Sequence, residues 1–66
     1  MSNTLASNIR KFRKDRGFSQ EKLARKADIL YSTLNKIETN VIKSPSVFSV
    51  AKIAKALEVK IEDLIS

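Results

Sequence analysis

The 66-residue chain has no cysteine and no histidine, a single glycine and a single proline. Without cysteine there is no disulfide, and without either residue a Cys- or His-ligated metal site is excluded. No paired carboxylates converge with a nucleophile, and so small a chain offers no room for a deep pocket, which makes an enzyme the poorest reading. No metal, cofactor or small-molecule effector is indicated. No apolar run approaches the roughly 20 residues of a membrane span, and no apolar segment follows the N-terminus as in an export signal. The expectation is a cytoplasmic protein without membrane contact. Scarce glycine and proline, with 42% hydrophobic and 30% charged residues, favour a compact helical domain over a disordered tail.

What the chain has in plenty is positive charge. Thirteen Lys and Arg against seven Asp and Glu leave a formal charge of +6. Such a field attracts polyanions: nucleic acid first, then acidic membranes or proteins. Residues 1–66 read as one domain. A chain of this size buries only about 60% of the surface its unfolded form exposes, so its stability must come from well-packed helices or from self-association.

Apolar residues recur at helical spacing almost throughout. Leu5, Ala6, Ile9 and Phe12 define a first helix over about residues 4–16, capped by Thr4 or Asn3, with basic residues in its last turn and Gly17 as its stop. Ser19 reads as the N-cap of a short second helix whose inward face is Leu23, Ala24 and Ala27. Asp28 tolerates the left-handed backbone of a tight turn. A third helix carries Leu34 and Ile37 inward and ends near Thr39–Asn40, Asn40 being suited to a left-handed cap. Residues 40–46 form the longest loop, closed by Pro45 and a cap at Ser44 or Ser46. Val47, Val50, Ile53, Ala54 and Leu57 repeat the inward pattern in a fourth helix. After a break at Glu58–Lys60, the residues Ile61, Leu64 and Ile65 form a last helical turn or two. Strand alternation, internal repeats and low-complexity segments are lacking. The fold class expected is all-α, with five short helices around one core.

The second and third helices, joined by a turn of about three or four residues, have the form of a helix-turn-helix unit. That unit covers about residues 19–39, with a recognition helix over about 30–39. Ala24 is small where the two helices cross, Ile29 plugs the turn, and Leu34 and Ile37 pin the second helix to the core. Tyr31, Ser32, Thr33, Asn35 and Lys36 suit the exposed face of a recognition helix. Asn pairs bidentately with adenine, Lys reaches guanine or phosphate, and Tyr or the Thr methyl touches a thymine methyl. Arg10 on the first helix is the best additional phosphate candidate. Free N–H groups at the start of the second helix favour an anion beside Gln20.

The order of these residues resembles the lambda-repressor-like family, the Cro or XRE type of bacterial and phage regulators, from about Ile9 to Ile65. The elements are Arg13, the Ser19-Gln20 pair, Leu23-Ala24, Ile37-Glu38, Pro45-Ser46, the run Ile53-Ala54-Lys55-Ala56-Leu57, and the closing Ile61, Leu64 and Ile65. Asp28 stands where the family usually has glycine, and Leu30, which has no capping group, where it often has Ser or Thr. The resemblance implies that Gln20 grips a phosphate and that Arg13 and Glu38 form a structural ion pair between the first and third helices. It implies loop contacts to phosphate from Lys43 and Ser44, and pairing of the chain as a homodimer on a palindromic site.

Val41 and Ile42 are adjacent apolar residues in a polar loop; one tucks under the core and the other, if exposed, marks an interface. Ile42, Val59 and Ile65 are the candidate dimer contacts. The expected function is sequence-specific recognition of double-stranded DNA by a transcriptional regulator. One rival is an antitoxin-like or other protein-binding module on the same fold, which needs a large exposed apolar patch. Another is a non-specific or RNA binder, which needs exposed stacking aromatics, whereas Phe12, Phe18 and Phe48 read as core.

Overall fold

Hydroxyl caps set the starts of three helices. Thr4 accepts from the Ser7 N–H at 3.1 Å, Ser19 from Lys22 N–H at 3.0 Å and Ser46 from Ser49 N–H at 3.2 Å. Each bond satisfies a first-turn donor that has no partner inside its own helix. The computed structural model describes residues 4–65, so the alternative cap Asn3 lies outside the described residues. These residues hold five helices and no strand: α1 (Leu5–Asp15), α2 (Gln20–Ala27), α3 (Tyr31–Glu38), α4 (Val47–Leu57) and α5 (Ile61–Ile65). In α5 the cap is reversed, Asp63 Oδ2 accepting from the Lys60 N–H at 3.1 Å. The start of α3 at Leu30 has no side-chain cap.

One device ends each of the first four helices. The chain turns left-handed at Gly17, Asp28, Asn40 and Glu58, with φ of 70°, 57°, 63° and 58°. The following N–H then reaches back over the last turn: Phe18 to Arg13, Ile29 to Ala24, Val41 to Lys36 and Val59 to Ala54, at 2.8–3.0 Å. This pattern satisfies the orphan carbonyls of a helix end and throws the next residue back toward the core. Phe18, Ile29 and Val59 do pack against it.

Ile9, Leu23, Leu34, Ile37, Ile53, Leu57 and Leu64 are fully buried. Small residues on facing helices (Ala24 and Ala27 on α2, Ala54 on α4) are also buried, and α2 packs on both α3 and α4 while α1 bridges α3 and α5. Truncating one of the large core residues to alanine costs roughly 2–5 kcal/mol, a large share of the stability of so small a domain. Buried Asn8 ties α1 to α5 by donating to the Leu64 carbonyl at 2.8 Å, and Arg16 Nε donates to the Leu57 carbonyl at 2.7 Å.

Two residues expected in the core lie outside it. Phe48 is 77% exposed and Val47 64% exposed. Phe48 stands two residues before buried Val50, about 200° round the helix from it, and so faces away from the core. Val47 opens α4 at the edge of the buried stripe, about 60° round the helix from Val50. In the preceding loop Ile42 packs against the core and Val41 is exposed. Near the C-terminus Val59 packs inward and Ile65 is 61% exposed.

A Cβ built on Gly17 meets no atom within 4 Å, so Gly17→Ala tests the left-handed backbone alone. It should destabilise the fold by about 1 kcal/mol, and Glu58→Gly should stabilise it by a similar amount. Urea denaturation measures both; no change in either variant would show that these turns are not strained.

Candidate nucleic-acid interface

The turn between α2 and α3 is only Asp28, Ile29 and Leu30. With Asp28 left-handed and Ile29 packed inward, the two helices are held at a set angle. The far end of α3 is held by charge. Glu38 is completely buried, and its carboxylate lies against Arg13 of α1: Arg13 Nε donates to Oε2 at 2.8 Å and Nη2 to Oε1 at 3.1 Å. The remaining Arg13 nitrogen, Nη1, donates to the Phe18 carbonyl at 2.9 Å. One guanidinium thus joins α1, the turn before α2 and the end of α3. A fork facing a carboxylate gives two parallel charge-assisted bonds, the strongest form of such a contact.

Further polar groups extend this anchor to the surface. Gln20 Nε2 donates to Glu38 Oε1 at 3.0 Å, and Asn35 Nδ2 donates to Gln20 Oε1 at 3.2 Å. Arg10 Nη1 donates to the Glu38 carbonyl. The guanidinium of Arg10, expected to reach outward for phosphate, is therefore engaged at the C-terminal end of α3, where the carbonyls favour a cation. Among the described residues no buried side-chain nitrogen or oxygen is left without a partner.

With Leu34, Ile37 and Glu38 facing inward, Ser32 and Lys36 stand on the opposite side of α3 and are exposed. Tyr31, 52% exposed, opens the helix, while Thr33 and Asn35 are half-buried along its flanks. Gln20 is half-buried beside Asn35, and Tyr31 shares a shallow depression with Arg13, Ser19, Gln20 and Glu21. Lys43 and Ser44 are exposed on the loop after α3. The face is polar and adaptable, built on a helix whose inner side is locked, which suits reading of base edges.

A helix-turn-helix family profile matches residues 9–64. The chain belongs to the Cro/C1-type helix-turn-helix family. It is 32% identical over 62 residues to the HTH-type transcriptional regulator SinR of Bacillus licheniformis, covering 94% of this chain and 56% of that protein. The chain therefore spans about half the length of the curated relatives it matches. Its fold is similar to a crystal structure of SinR, master regulator for biofilm formation, in complex with DNA: TM-score 0.89 and 33% identity, over 92% of this chain and 97% of that one. It is also similar to the restriction-modification controller protein C.AhdI from Aeromonas hydrophila: TM-score 0.86 and 26% identity, over 92% and 91% of the two chains.

Within this helix-turn-helix fold, sequence reasoning missed the contacts of Asn8 and Arg16. Asn8 had a visible signal, since it lies on the Leu5, Ile9, Phe12 stripe at helical spacing, where a polar residue needs a buried partner. Arg16 had none, because its partner is a backbone carbonyl 41 residues away. Further lysines gather elsewhere. Lys26, Lys52 and Lys55 line a groove between α2 and α4 together with Asp28 and Glu58, and Lys22 and Lys26 both sit over the Phe18 ring at 5.3 Å.

Removing one partner of a buried pair leaves the other charge unpaired, at a cost of about 3–5 kcal/mol. Glu38→Ala and Arg13→Ala should each destabilise the fold by that order, whereas Arg13→Met with Glu38→Leu should recover most of the loss. Thermal and urea unfolding test this. A loss below about 1 kcal/mol for Glu38→Ala would mark the pair as an ordinary surface bridge.

Proposed function

We propose that this helix-turn-helix chain is a sequence-specific duplex DNA-binding transcriptional regulator. It lays α3 in the major groove and acts as a homodimer on a palindromic site. The observation that carries this reading is the exposed side of α3, where Ser32 and Lys36 face outward, Thr33 and Asn35 flank them and Tyr31 opens a helix clamped at its far end by Glu38. The DNA complex of the similar SinR domain supports it.

The roles divide by chemistry. Asn35 reads a base, Lys36 reaches guanine or phosphate, and Lys43 contacts the backbone beyond the recognition helix. Gln20 presents its remaining N–H at the start of α2, where an anion is favoured. One domain of this size covers too little groove for tight specific binding, so a second copy supplies the second half-site. Ile65, exposed on α5, is the proposed self-contact; Ile42 and Val59, expected beside it, pack against the core instead and are not available to a partner. A role in the cytoplasm, with no catalytic step, follows from this reading. A protein-binding module on the same fold is the second reading, favoured by exposed Val41, Val47 and Phe48; it requires a stable protein partner and no DNA affinity above background.

Affinity for duplex DNA should fall steeply with salt. With four to six phosphates neutralised per protomer, the log–log slope should be roughly −4 to −5 for each protomer bound, and about twice that for the dimer. Asn35→Ala should relax preference at one base pair by about 1–3 kcal/mol, while Lys36→Ala weakens binding to every sequence. Fluorescence-anisotropy titrations over a salt series measure both, and a flat salt response would sink the reading.

A two-fold contact repeats each residue, so a charge placed in it repels its own copy. Ile65→Glu should shift the protein toward monomer in sedimentation and weaken binding to a palindrome more than to a half-site. An unchanged sedimentation profile across concentrations would place the self-contact elsewhere.

A further inference from the structure

We infer that Gln20 is a positioning residue for base recognition: it passes the polarity of the buried Glu38 carboxylate to Asn35 and commits the Asn35 amide to adenine. This rests on the DNA-binding reading above and adds the base class that the site selects.

An amide side chain has two ends of similar shape and opposite hydrogen-bonding character, and either end is free to face a given neighbour. The Glu38 carboxylate, held by Arg13 and fully buried, offers only acceptors. Gln20 must therefore present its NH2 group to Glu38 Oε1, as the 3.0 Å contact has it. That turns Gln20 Oε1 toward α3, where it too is an acceptor. Asn35 must then face it with its own NH2 group, at 3.2 Å. Each amide order follows from the one before, and the first is set by a charge that does not turn round.

The consequence lies on the outer side of Asn35. One of its two N–H groups is spent on Gln20, leaving one donor and one acceptor for a base edge. Adenine presents N7 as acceptor and its N6 amino group as donor in the major groove, which matches that pair. Guanine presents two acceptors, N7 and O6. An unrestrained Asn could turn both N–H groups on them, but a tethered one leaves its oxygen facing O6. The relay thus works by excluding guanine as much as by accepting adenine.

Gln20→Met is the informative variant, since it keeps side-chain length and helix propensity and removes both hydrogen-bonding ends. Glu38 retains both of its bonds to Arg13, so the fold is kept, and circular dichroism checks it. Two readouts are made on the full chain. In the free protein, nuclear magnetic resonance should show one Asn35 side-chain amide proton protected from exchange in the wild type and that protection lost in Gln20→Met. Selection from a random duplex library should enrich adenine over guanine at one position for the wild type, and Gln20→Met should lower that ratio by about tenfold.

An Asn35 amide that exchanges freely in the wild type overturns the relay. So does a Gln20→Met variant that binds every duplex more weakly with the adenine preference intact, which would make Gln20 a phosphate contact only. A protected Asn35 amide in a wild type that enriches no sequence overturns the DNA-binding reading instead, and the base assignment with it.

Discussion

A carboxylate with no exposure to water must be neutralised where it lies, and the placement of the recognition face follows from how Glu38 meets that demand. Stripping a charge of its hydration costs several kcal/mol, which attraction offsets only when geometry is good and the remaining lone pairs are filled. Here both oxygens face the Arg13 fork and one also accepts from Gln20. The requirement links parts of the chain far apart in sequence. Arg13 holds the turn before α2 through the Phe18 carbonyl, and Arg10 holds the backbone carbonyl of Glu38. Hydrophobic burial of Leu34 and Ile37 presses α3 onto the core but is non-directional. The ion pair adds register and rotation to that attachment, so the same outer residues face solvent each time the chain folds.

Local rules accounted for much of the fold. Helix starts at Thr4, Ser19 and Ser46 and left-handed stops at Gly17, Asp28 and Asn40 depend on the chemistry of one residue and its immediate neighbours, so they were legible in sequence. Glu58 adopts the same left-handed turn without being a residue type that favours it. The packing of Val59 behind it outweighs the local preference, and single-residue chemistry does not carry that information. Val47 and Phe48 depart from the expected core for a related reason. Apolar character does not by itself decide burial: Phe48 faces away from the stripe of Val50, Ile53 and Leu57, and Val47 lies at its edge.

At the site, residue type and face were legible and connectivity was not. The outward side of α3 follows from helical periodicity once Leu34 and Ile37 are assigned inward. That Asn35 and Gln20 bond each other, and that Arg10 turns in to a carbonyl, depends on the angle between α2 and α3 and on how closely α1 crosses them. Net charge was a poor guide to location as well. Three arginines, Arg10, Arg13 and Arg16, are engaged within the protein. Lys26, Lys52 and Lys55 lie together on the groove between α2 and α4, beside Asp28 and Glu58, while Lys36 is exposed on α3 and Lys43 on the loop after it. A polyanion drawn by charge alone therefore meets lysines on two surfaces; the carboxylates of Asp28 and Glu58 weaken the groove, and base-edge chemistry favours α3.

Mapping backbone amide shifts of the full chain, as a duplex from the random-library selection is added at physiological salt, tests that choice most directly. The account predicts the largest changes at Ser19 and Gln20, at Tyr31 to Lys36 and at Lys43, with residues of the α2–α4 groove little affected. Changes concentrated at Lys22, Lys26, Lys52 and Lys55, with the α3 amides unmoved, would contradict it.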